Sequence, residues 1–397
     1  MTEYILQIAE RQLRRQFERA IGRSVHKILT ELITNSDDSY KRIESDADHS
    51  LTPFTPQNPA PIIIDFDRRK RRISVTDHAE GLSDEDMKNR FVAYGGDSKD
   101  SSKGLRTRSL FGKGLRDVLF TQHHGQVKSF KDGAFANCLF RWKDKNGIKT
   151  PVVEIKASQH ARRQMRSALG ISENGTHVEF ALSDNIPTPQ SKKILEQLSN
   201  FYMLRLIVNN SNRKVLLRIH NGRKVVEHQL CYPIPEIEKK TNVDVSLDFE
   251  GHYLRLNGAI GLTEKELTQG EASFDRQGGI LVVDENDSVL DLTLFGFDEE
   301  VAARRISGFL KVHGLGSLIR DRLNAPEPEE ILTETRDGFN HTHPFCRALS
   351  DKLRAFLQPM VEELRKERRR STKQRQTPKS HQEAMQVLNE LANEMLS

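Results

Sequence analysis

Cysteine and tryptophan are scarce in this chain of 397 residues, and long apolar runs are absent from it. The three cysteines, Cys138, Cys231 and Cys346, are odd in number and far apart. They therefore suggest neither a disulfide framework nor a C-x-x-C metal site. No stretch reaches the roughly 20 apolar residues of a transmembrane helix. The opening residues, MTEYILQIAERQLRRQF, include acidic side chains and no cleavable apolar region, so we expect a cytoplasmic protein without membrane contact.

The composition indicates a globular chain with real hydrophobic cores. Hydrophobic residues make up 36% and charged residues 29% of the sequence. The length predicts two domains with a possible appendage. The net charge of +5 permits contact with nucleic acid but does not require it.

One segment, residues 24–43, has the pattern of an amphipathic helix. At 100° per residue, its apolar side chains fall on one side. These are Val25, Leu29, Leu32, Ile33, Tyr40 and Ile43. Glu31, Asn35 and Asp38 fall on the opposite side. A solvated polar face is the common interpretation of such a helix, so a functional one needs support from elsewhere in the chain.

Three further motifs follow in order. Asp77-x-Ala-x-Gly81 comes directly after a predicted strand at 73–77. A segment at 95–111, rich in Gly, Ser and Lys, leads into Phe111-Gly112-Lys113-Gly114, and Gly175-Thr176 precedes a predicted strand at 176–182. Each motif alone is weak. The Gly-Lys-Gly segment is not a Walker loop, because Lys113 is followed by glycine rather than Ser or Thr.

Together the four motifs contain the parts of a nucleotide site. A carboxylate at the end of a buried strand can accept the exocyclic amine of adenine. Glycines in a turn let backbone N–H groups approach phosphates. An Asn oxygen suits Mg²⁺, and a Glu one helical turn earlier can activate a water molecule.

In this order and spacing, the motifs resemble those of the GHKL ATPase superfamily, which includes gyrase B, MutL, histidine kinases and heat-shock-ninety chaperones. The segments RFVAYGGDSKD and RSLFGKGLRD look most like the MORC and heat-shock-ninety branch. The resemblance covers residues 20–182. It implies an α/β fold: an N-terminal Bergerat-fold α/β sandwich at 1–182, a smaller α/β transducer-like domain at 183–363, and a basic linker with a C-terminal helix at 364–397.

The resemblance assigns roles on the helix and on the adenine side. It makes Glu31 the general base, places Asn35 on Mg²⁺ and puts Asp38 near the ribose and phosphates. By the same resemblance, Asp77 binds the adenine amine, Gly81 lets the base approach, and Thr176 joins the hydrogen-bond network there.

On the phosphate side, the resemblance implies a cradle formed by Gly112, Lys113 and Gly114, with Lys99 reaching from the 95–111 lid. Two positions depart from the family pattern, because Ala79 and Ser109 stand where glycines are expected. Ala79 is a small change, whereas Ser109 affects the lid hinge.

Transducer domains of such proteins send a basic side chain to the γ-phosphate. The candidate here is Arg336, with Lys311 as the second choice. An exposed arginine before a Gly turn remains the alternative. The patterns of this region predict strands at 214–219, 243–247, 252–258 and 279–283, and helices at 299–308 and 344–365.

The predicted function is a Mg²⁺-dependent ATPase in which ATP orders the lid, docks the second domain and drives homodimerisation. DNA is the expected partner because of the MORC-like resemblance and the basic segment at 364–380, with a role in DNA maintenance or antiviral defence. A chaperone-like clamp for polypeptides is the alternative, and a non-hydrolysing nucleotide-binding module is the third.

Two other chemistries are disfavoured. His341-x-His343-x-x-Cys346 contains zinc-ligand types but no evident fourth ligand. A histidine kinase would carry its phospho-acceptor in a separate upstream helical domain, whereas His26 lies in the same predicted helix as Glu31.

Overall fold

The protein is mixed α/β, with two mixed sheets and a long C-terminal helix. We describe a computed structural model over residues 10–21, 24–45, 54–92, 114–122, 124–145, 148–268, 276–333, 338–376, 384–385, 387–389 and 391. Lys99, Gly112, Lys113 and Arg336, with the 95–111 segment, lie outside these residues.

Nine α-helices are described along the chain, together with two 3₁₀ turns at Tyr202–Leu204 and Val301–Arg305. The helices are α1 (Glu10–Ile21), α2 (Val25–Ser45), α3 (Asp84–Phe91), α4 (Gly114–Thr121), α5 (Arg163–Leu169), α6 (Ser191–Asn200), α7 (Arg205–Val208), α8 (Leu315–Leu323) and α9 (Pro344–Gln376).

The strands of the first sheet are β1 (Ala60–Asp67), β2 (Arg72–Asp77), β3 (His124–Lys131), β4 (Ala134–Lys145), β5 (Ile148–His160), β6 (Gly175–Ala181), β7 (Arg213–Asn221) and β8 (Lys224–Gln229). Their order is β5-β4-β3-β6-β2-β1-β7-β8, and only the β1–β7 pair is parallel. The second sheet contains β9 (Lys239–Phe249), β10 (His252–Leu262), β11 (Gly279–Asp284), β12 (Val289–Thr293) and β13 (Ile306–His313). Its order is β12-β11-β13-β10-β9, with β11 and β13 parallel.

We call the first sheet with the helices packed on it the first unit, and the second sheet with α9 the second unit. Helix α2 is the central helix of the first unit. It contacts β1, β2, α4 and α6, and its apolar side chains lie in the first core. The buried Tyr40 hydroxyl donates to the Pro61 carbonyl at 2.6 Å and accepts from the His78 amide at 2.7 Å. This one side chain therefore fixes α2 against β1 and against the segment that follows β2.

The two sheets share apolar packing. Leu281 and Val283 of β11 belong to the first core, whereas Ile280 and Val282 of the same strand belong to the second. Strand β11 is therefore buried on both faces, and α9 covers the second core. Lys41 of α2 adds a polar link, because its Nζ donates to the Asn286 carbonyl at 3.0 Å.

The strand predicted at 214–219 lies in the first sheet, not in the second domain. It is part of β7, which pairs in parallel with β1 from Ala60↔Arg213 to Asp67↔His220. Parallel neighbours need a crossover connection. The boundary predicted at 182/183 therefore falls between two strands of one sheet, because residues 183–190 lie on the connection from β6 through α6 to β7.

The prediction of a helix at 299–308 is wrong. Its first part is the 3₁₀ turn Val301–Arg305, and the chain then enters β13, which pairs with both β10 and β11. The local Ala and Arg residues favour helix, but central pairing in a sheet outweighs that weak propensity. The helix predicted at 344–365 is confirmed and continues to Gln376.

A buried ion pair of Arg213 connects β7 to α2, and removing the arginine tests how much this contact stabilises the fold. Arg213 lies 2.7 Å from Asp37 and 2.6 Å from Glu44, and its side chain has no exposed surface. We expect Arg213→Ala to lower the free energy of unfolding by about 3–5 kcal/mol, because the buried Asp37 charge loses this cation. Urea denaturation measures the change.

Arg218→Ala is the matched control, because this arginine of β7 pairs with Glu227 of β8, and the two side chains are 37% and 46% exposed. That substitution should change the free energy of unfolding by less than about 1 kcal/mol. Equal losses in the two variants would contradict a structural role for the buried pair.

Candidate functional site

The carboxylate of Asp77 is the centre of the candidate site. Asp77 ends β2 opposite Thr176 of β6, and it is 6% exposed. Its Oδ1 accepts from the amides of Ala79 at 3.1 Å and Thr176 at 3.2 Å. Its Oδ2 accepts from the Ser36 hydroxyl of α2 at 3.0 Å. Three elements thus meet on one side chain.

Keeping this carboxylate charged costs free energy, because it is buried. Burial raises the pKa of Asp77 to about 6, and the hydrogen bonds from Ala79, Ser36 and Thr176 oppose that rise. At neutral pH the group is therefore an anion whose solvation comes from the protein. Such an acceptor can bind a donor on a ligand, which is the chemistry expected of an adenine-binding aspartate.

Two glycines next to Asp77 allow the backbone to pack closely. Gly81 has a φ of +72°, and a Cβ there would lie 2.0 Å from the Phe130 carbonyl oxygen. Gly175 has a φ of +154°, and a Cβ there would lie 2.4 Å from the Asp77 carbonyl oxygen. The glycines that the sequence motifs predict are thus required by this geometry. Ala79, where the family pattern has glycine, is buried without disturbing the Asp77 hydrogen bond.

The polar face of α2 is not fully solvated. Asp38 is only 2% exposed, and Glu31 and Asn35 are partly buried. The Asn35 Nδ2 lies 3.4 Å from Glu31 Oε1, so the two side chains contact each other one turn apart. Because the amide nitrogen of Asn35 donates to Glu31, the side-chain oxygen of Asn35 can serve as a neutral ligand of Mg²⁺.

Helix α4 borders Glu31. Gly114 is its first described residue, and a Cβ there would lie 1.5 Å from Glu31 Oε1. A residue other than glycine at this position would require the Glu31 carboxylate to move from where it lies. The structure therefore brings Glu31, Asn35 and Gly114 together, as the sequence motifs predict.

The sequence motifs missed two serines. Ser129 of β3 is fully buried, accepts from the Leu82 amide at 2.7 Å and donates to the Gly175 carbonyl at 2.9 Å. Its hydroxyl also lies 3.1 Å from Thr176 Oγ1. Ser36 had a signal, since it directly follows Asn35 in the helix. Ser129 had none, because a lone serine in a strand indicates nothing.

Glu80 was also missed. Its Oε1 accepts from Arg42 Nε of α2 at 2.6 Å and from Arg90 of α3 at 3.3 Å. The residue between Ala79 and Gly81 therefore ties this loop to two helices. The pairing joins residues 38 and 10 positions apart along the chain, so no local pattern indicates it.

Lys311, the second candidate for a γ-phosphate contact, lies in an ion pair in this structure. Its Nζ is 2.5 Å from Asp287 Oδ1, in the β11–β12 turn that also contacts Lys41. The segment before and after the first candidate, Arg336, is anchored by the Leu332↔Phe339 bridge. Asp291 of β12 accepts from the Phe339 amide at 3.1 Å.

The residues of the His341-x-His343-x-x-Cys346 motif do not form a zinc site in the described structure. Cys346 donates through Sγ to the Ile331 carbonyl, and burial raises the pKa of this thiol to about 12. His343 lies 3.1 Å from Glu329. Within the described part of the chain, no three His, Cys, Asp or Glu side chains are arranged to hold a metal ion.

Comparisons with known proteins give no assignment, because neither a scan against protein-family models nor a search of curated proteins matches the chain. Among the residues described above, no helix is long and apolar enough to cross a membrane.

The titration of Asp77 predicts how stability and ligand binding depend on pH. Between pH 3.8, its ordinary pKa, and about 6, the folded protein keeps a proton that the unfolded chain has lost. The contribution of Asp77 to the free energy of unfolding therefore falls as the pH rises through this window. Below about pH 6, affinity for a ligand that donates a hydrogen bond to Asp77, such as the predicted ATP, should fall about tenfold per pH unit, because the acceptor becomes protonated.

Asp77→Asn separates these effects. The amide oxygen can accept from Ala79 and Thr176, and the amide nitrogen can donate to the Ser36 hydroxyl, all without a buried charge. The variant should therefore be at least as stable as the parent at pH 7 but should not bind the ATP that the sequence motifs predict. Urea denaturation and calorimetric titration with ATP measure the two properties. Asp65→Asn, at a partly exposed carboxylate paired with His220, is the control. Undiminished ATP affinity in Asp77→Asn would refute the adenine role.

Proposed function

We propose that this chain is a Mg²⁺-dependent ATPase of the GHKL type that acts as a conformational switch on DNA. The observation that carries the proposal is the buried Asp77 carboxylate, which faces α2 through Ser36 and is bordered by Gly81 and Gly175. The same helix carries Glu31 and Asn35 in mutual contact. The four sequence motifs are the reason for assigning a nucleotide to this arrangement.

The proposed architecture is a Bergerat-fold unit followed by a transducer-like unit. Support comes from the first sheet, where α2 lies against β1 and β2, α4 lies against β3 and β4, and the two helices contact each other. The ATPase unit would then include β7 and β8 as well as residues up to 182, since these strands complete the same sheet.

In this proposal each residue has a limited task. Asp77 accepts the adenine amine, and Thr176 and Ser129 hold the acceptor side in place. Glu31 takes a proton from the attacking water. Asn35 would hold Mg²⁺, which neutralises phosphate charge when bound. Asp38, Lys99, Gly112, Lys113 and Gly114 would complete the ribose and phosphate side.

The link between the two units supports a switch rather than a simple hydrolase. Helix α2 carries Glu31 in its first half and Lys41 in its second half, and Lys41 contacts the β11–β12 turn of the second sheet. A small displacement of α2 on nucleotide binding would therefore change the contact between Lys41 and that turn. Arg336 or Lys311 would supply the basic contact to the γ-phosphate, and ATP would favour homodimerisation.

Removing the general base should separate binding from turnover. We expect Glu31→Ala to bind ATP within about threefold of the parent and to lose at least about 100-fold in hydrolysis rate, because a positioned base contributes that much. Steady-state phosphate release and ATP titration measure the two properties. Glu196→Ala, which removes an exposed carboxylate from α6, is the control and should hydrolyse ATP normally. Equal hydrolysis by the Glu31 variant and the parent would refute the assignment.

The switch itself is tested by molecular mass in solution. We expect the mass to double when a non-hydrolysable ATP analogue is added, and DNA binding to strengthen in the same state and weaken with salt. Light scattering after size exclusion, with and without DNA, measures both. If unfolded polypeptide stimulates hydrolysis while DNA has no effect, the chaperone-like function replaces this one.

A further inference from the structure

The last part of α9 extends beyond its hydrophobic contacts. The side chains that cover the second core end at Leu364, whereas the helix continues to Gln376. In the twelve residues after Leu364 the sequence has seven basic side chains and one acidic side chain. At 1.5 Å per residue this segment is about 18 Å long.

The charged side chains of this segment fall into two groups that point to different sides of the helix. Three of them are held against the second unit. Arg365 lies 2.5 Å from Glu300, Arg305 lies 3.2 Å from Glu367, and Arg368 lies 3.4 Å from Glu266. These ion pairs join α9 to the segments around residues 266 and 300–305, so they hold the helix beyond the end of its apolar contacts.

Three of the other basic residues fall on the opposite side of the helix. At 100° per residue, Lys366, Arg369 and Arg370 fall within about 70° of the direction opposite to Leu357, Val361 and Leu364. All three are exposed, and within the described ranges none of them forms an ion pair. We call these three residues the outer basic stripe.

Two ordinary explanations do not account for this stripe. Basic residues stabilise the C-terminal end of a helix through its dipole, but only in the last turn. The stripe begins ten residues before Gln376. A solvated charged face usually mixes both signs, because like charges three or four residues apart destabilise a helix. On this helix the two signs are separated along the axis: the exposed Glu362 and Glu363 lie before Lys366, and Glu367, the one acidic side chain after Leu364, pairs with Arg305.

We propose that the outer basic stripe of α9 binds the phosphate backbone of duplex DNA. Two of its three side chains are arginines, whose planar guanidinium groups can bind phosphate in a bidentate manner. The stripe contains no aromatic side chain on which an unpaired base could stack, and single-stranded nucleic acid is typically bound through such stacking. The stripe therefore suits a duplex, in which the phosphates are outside and the bases are inside.

This inference rests on the proposed function for its choice of DNA and names the surface that would contact it. Contact through phosphates alone is independent of sequence, so binding should not depend on the bases. Its strength should depend steeply on salt concentration.

The test is a triple variant, Lys366→Gln/Arg369→Gln/Arg370→Gln, compared with a control, Lys193→Gln/Arg223→Gln/Lys224→Gln. The control loses the same charge from exposed positions on α6 and the β7–β8 turn. Fluorescence anisotropy with a 30-base-pair duplex over a series of KCl concentrations, with a non-hydrolysable ATP analogue present, gives the slope of log affinity against log salt. The same measurements use single-stranded DNA, duplex RNA and polyglutamate.

We expect the slope of the stripe variant to become less steep by about 2.7, because each lost phosphate contact contributes about 0.9. The control should keep the slope of the parent, and both variants should hydrolyse ATP normally. Equal changes in the two variants, or an unchanged slope in the stripe variant, would overturn the inference. Preferential binding of single strands, duplex RNA or polyglutamate would also overturn it.

The design distinguishes this inference from the ATPase proposal. If the parent hydrolyses ATP in a Glu31-dependent manner but binds no duplex DNA, the stripe proposal is wrong and the ATPase proposal stands. If the parent binds duplex DNA through the stripe but hydrolyses no ATP, the reverse holds.

Discussion

The first unit depends on a buried anion that the protein must solvate by itself. Asp77 has little access to water, so each of its oxygens requires donors from the fold. These donors come from α2, from the segment after β2 and from β6. A shift of any of the three elements would remove a donor and leave the buried charge less well solvated, which costs free energy. Their relative positions are therefore fixed more strictly than apolar packing alone would require.

The same constraint explains the close backbone contacts around the site. Gly81 and Gly175 let the chain pass within van der Waals distance of neighbouring carbonyls, and Ser129 supplies a hydroxyl between them. The result is a wall in which polar groups are satisfied by one another. With three hydrogen bonds accepted, the two oxygens of Asp77 still have capacity to accept a further one.

Helix α2 joins this wall to the rest of the molecule. Most of its residues from 36 to 40 are polar and all of them are buried, which is unusual for a surface helix. Tyr40 ties the helix to β1, Arg213 ties it to β7, and Lys41 ties it to the second sheet. The helix proposed to carry catalysis is thus also the helix through which the two sheets are connected. By contrast, the outer stripe of α9 carries charges that the fold leaves unpaired within its described part.

The sequence by itself determined the elements whose pattern is local. The amphipathic helix 24–43, the strands around Asp77 and the glycines at 81 and 175 follow from periodicity and turn chemistry, and the structure has them in place. Tertiary structure decided what depends on distant partners. It placed β7 beside β1, turned a helix-favouring stretch into β13, and brought Ser129 and Glu80 to the site. The reason is physical: a helix face or a tight turn is specified by residues a few positions apart, whereas sheet pairing and buried charge pairing depend on groups tens to hundreds of residues away.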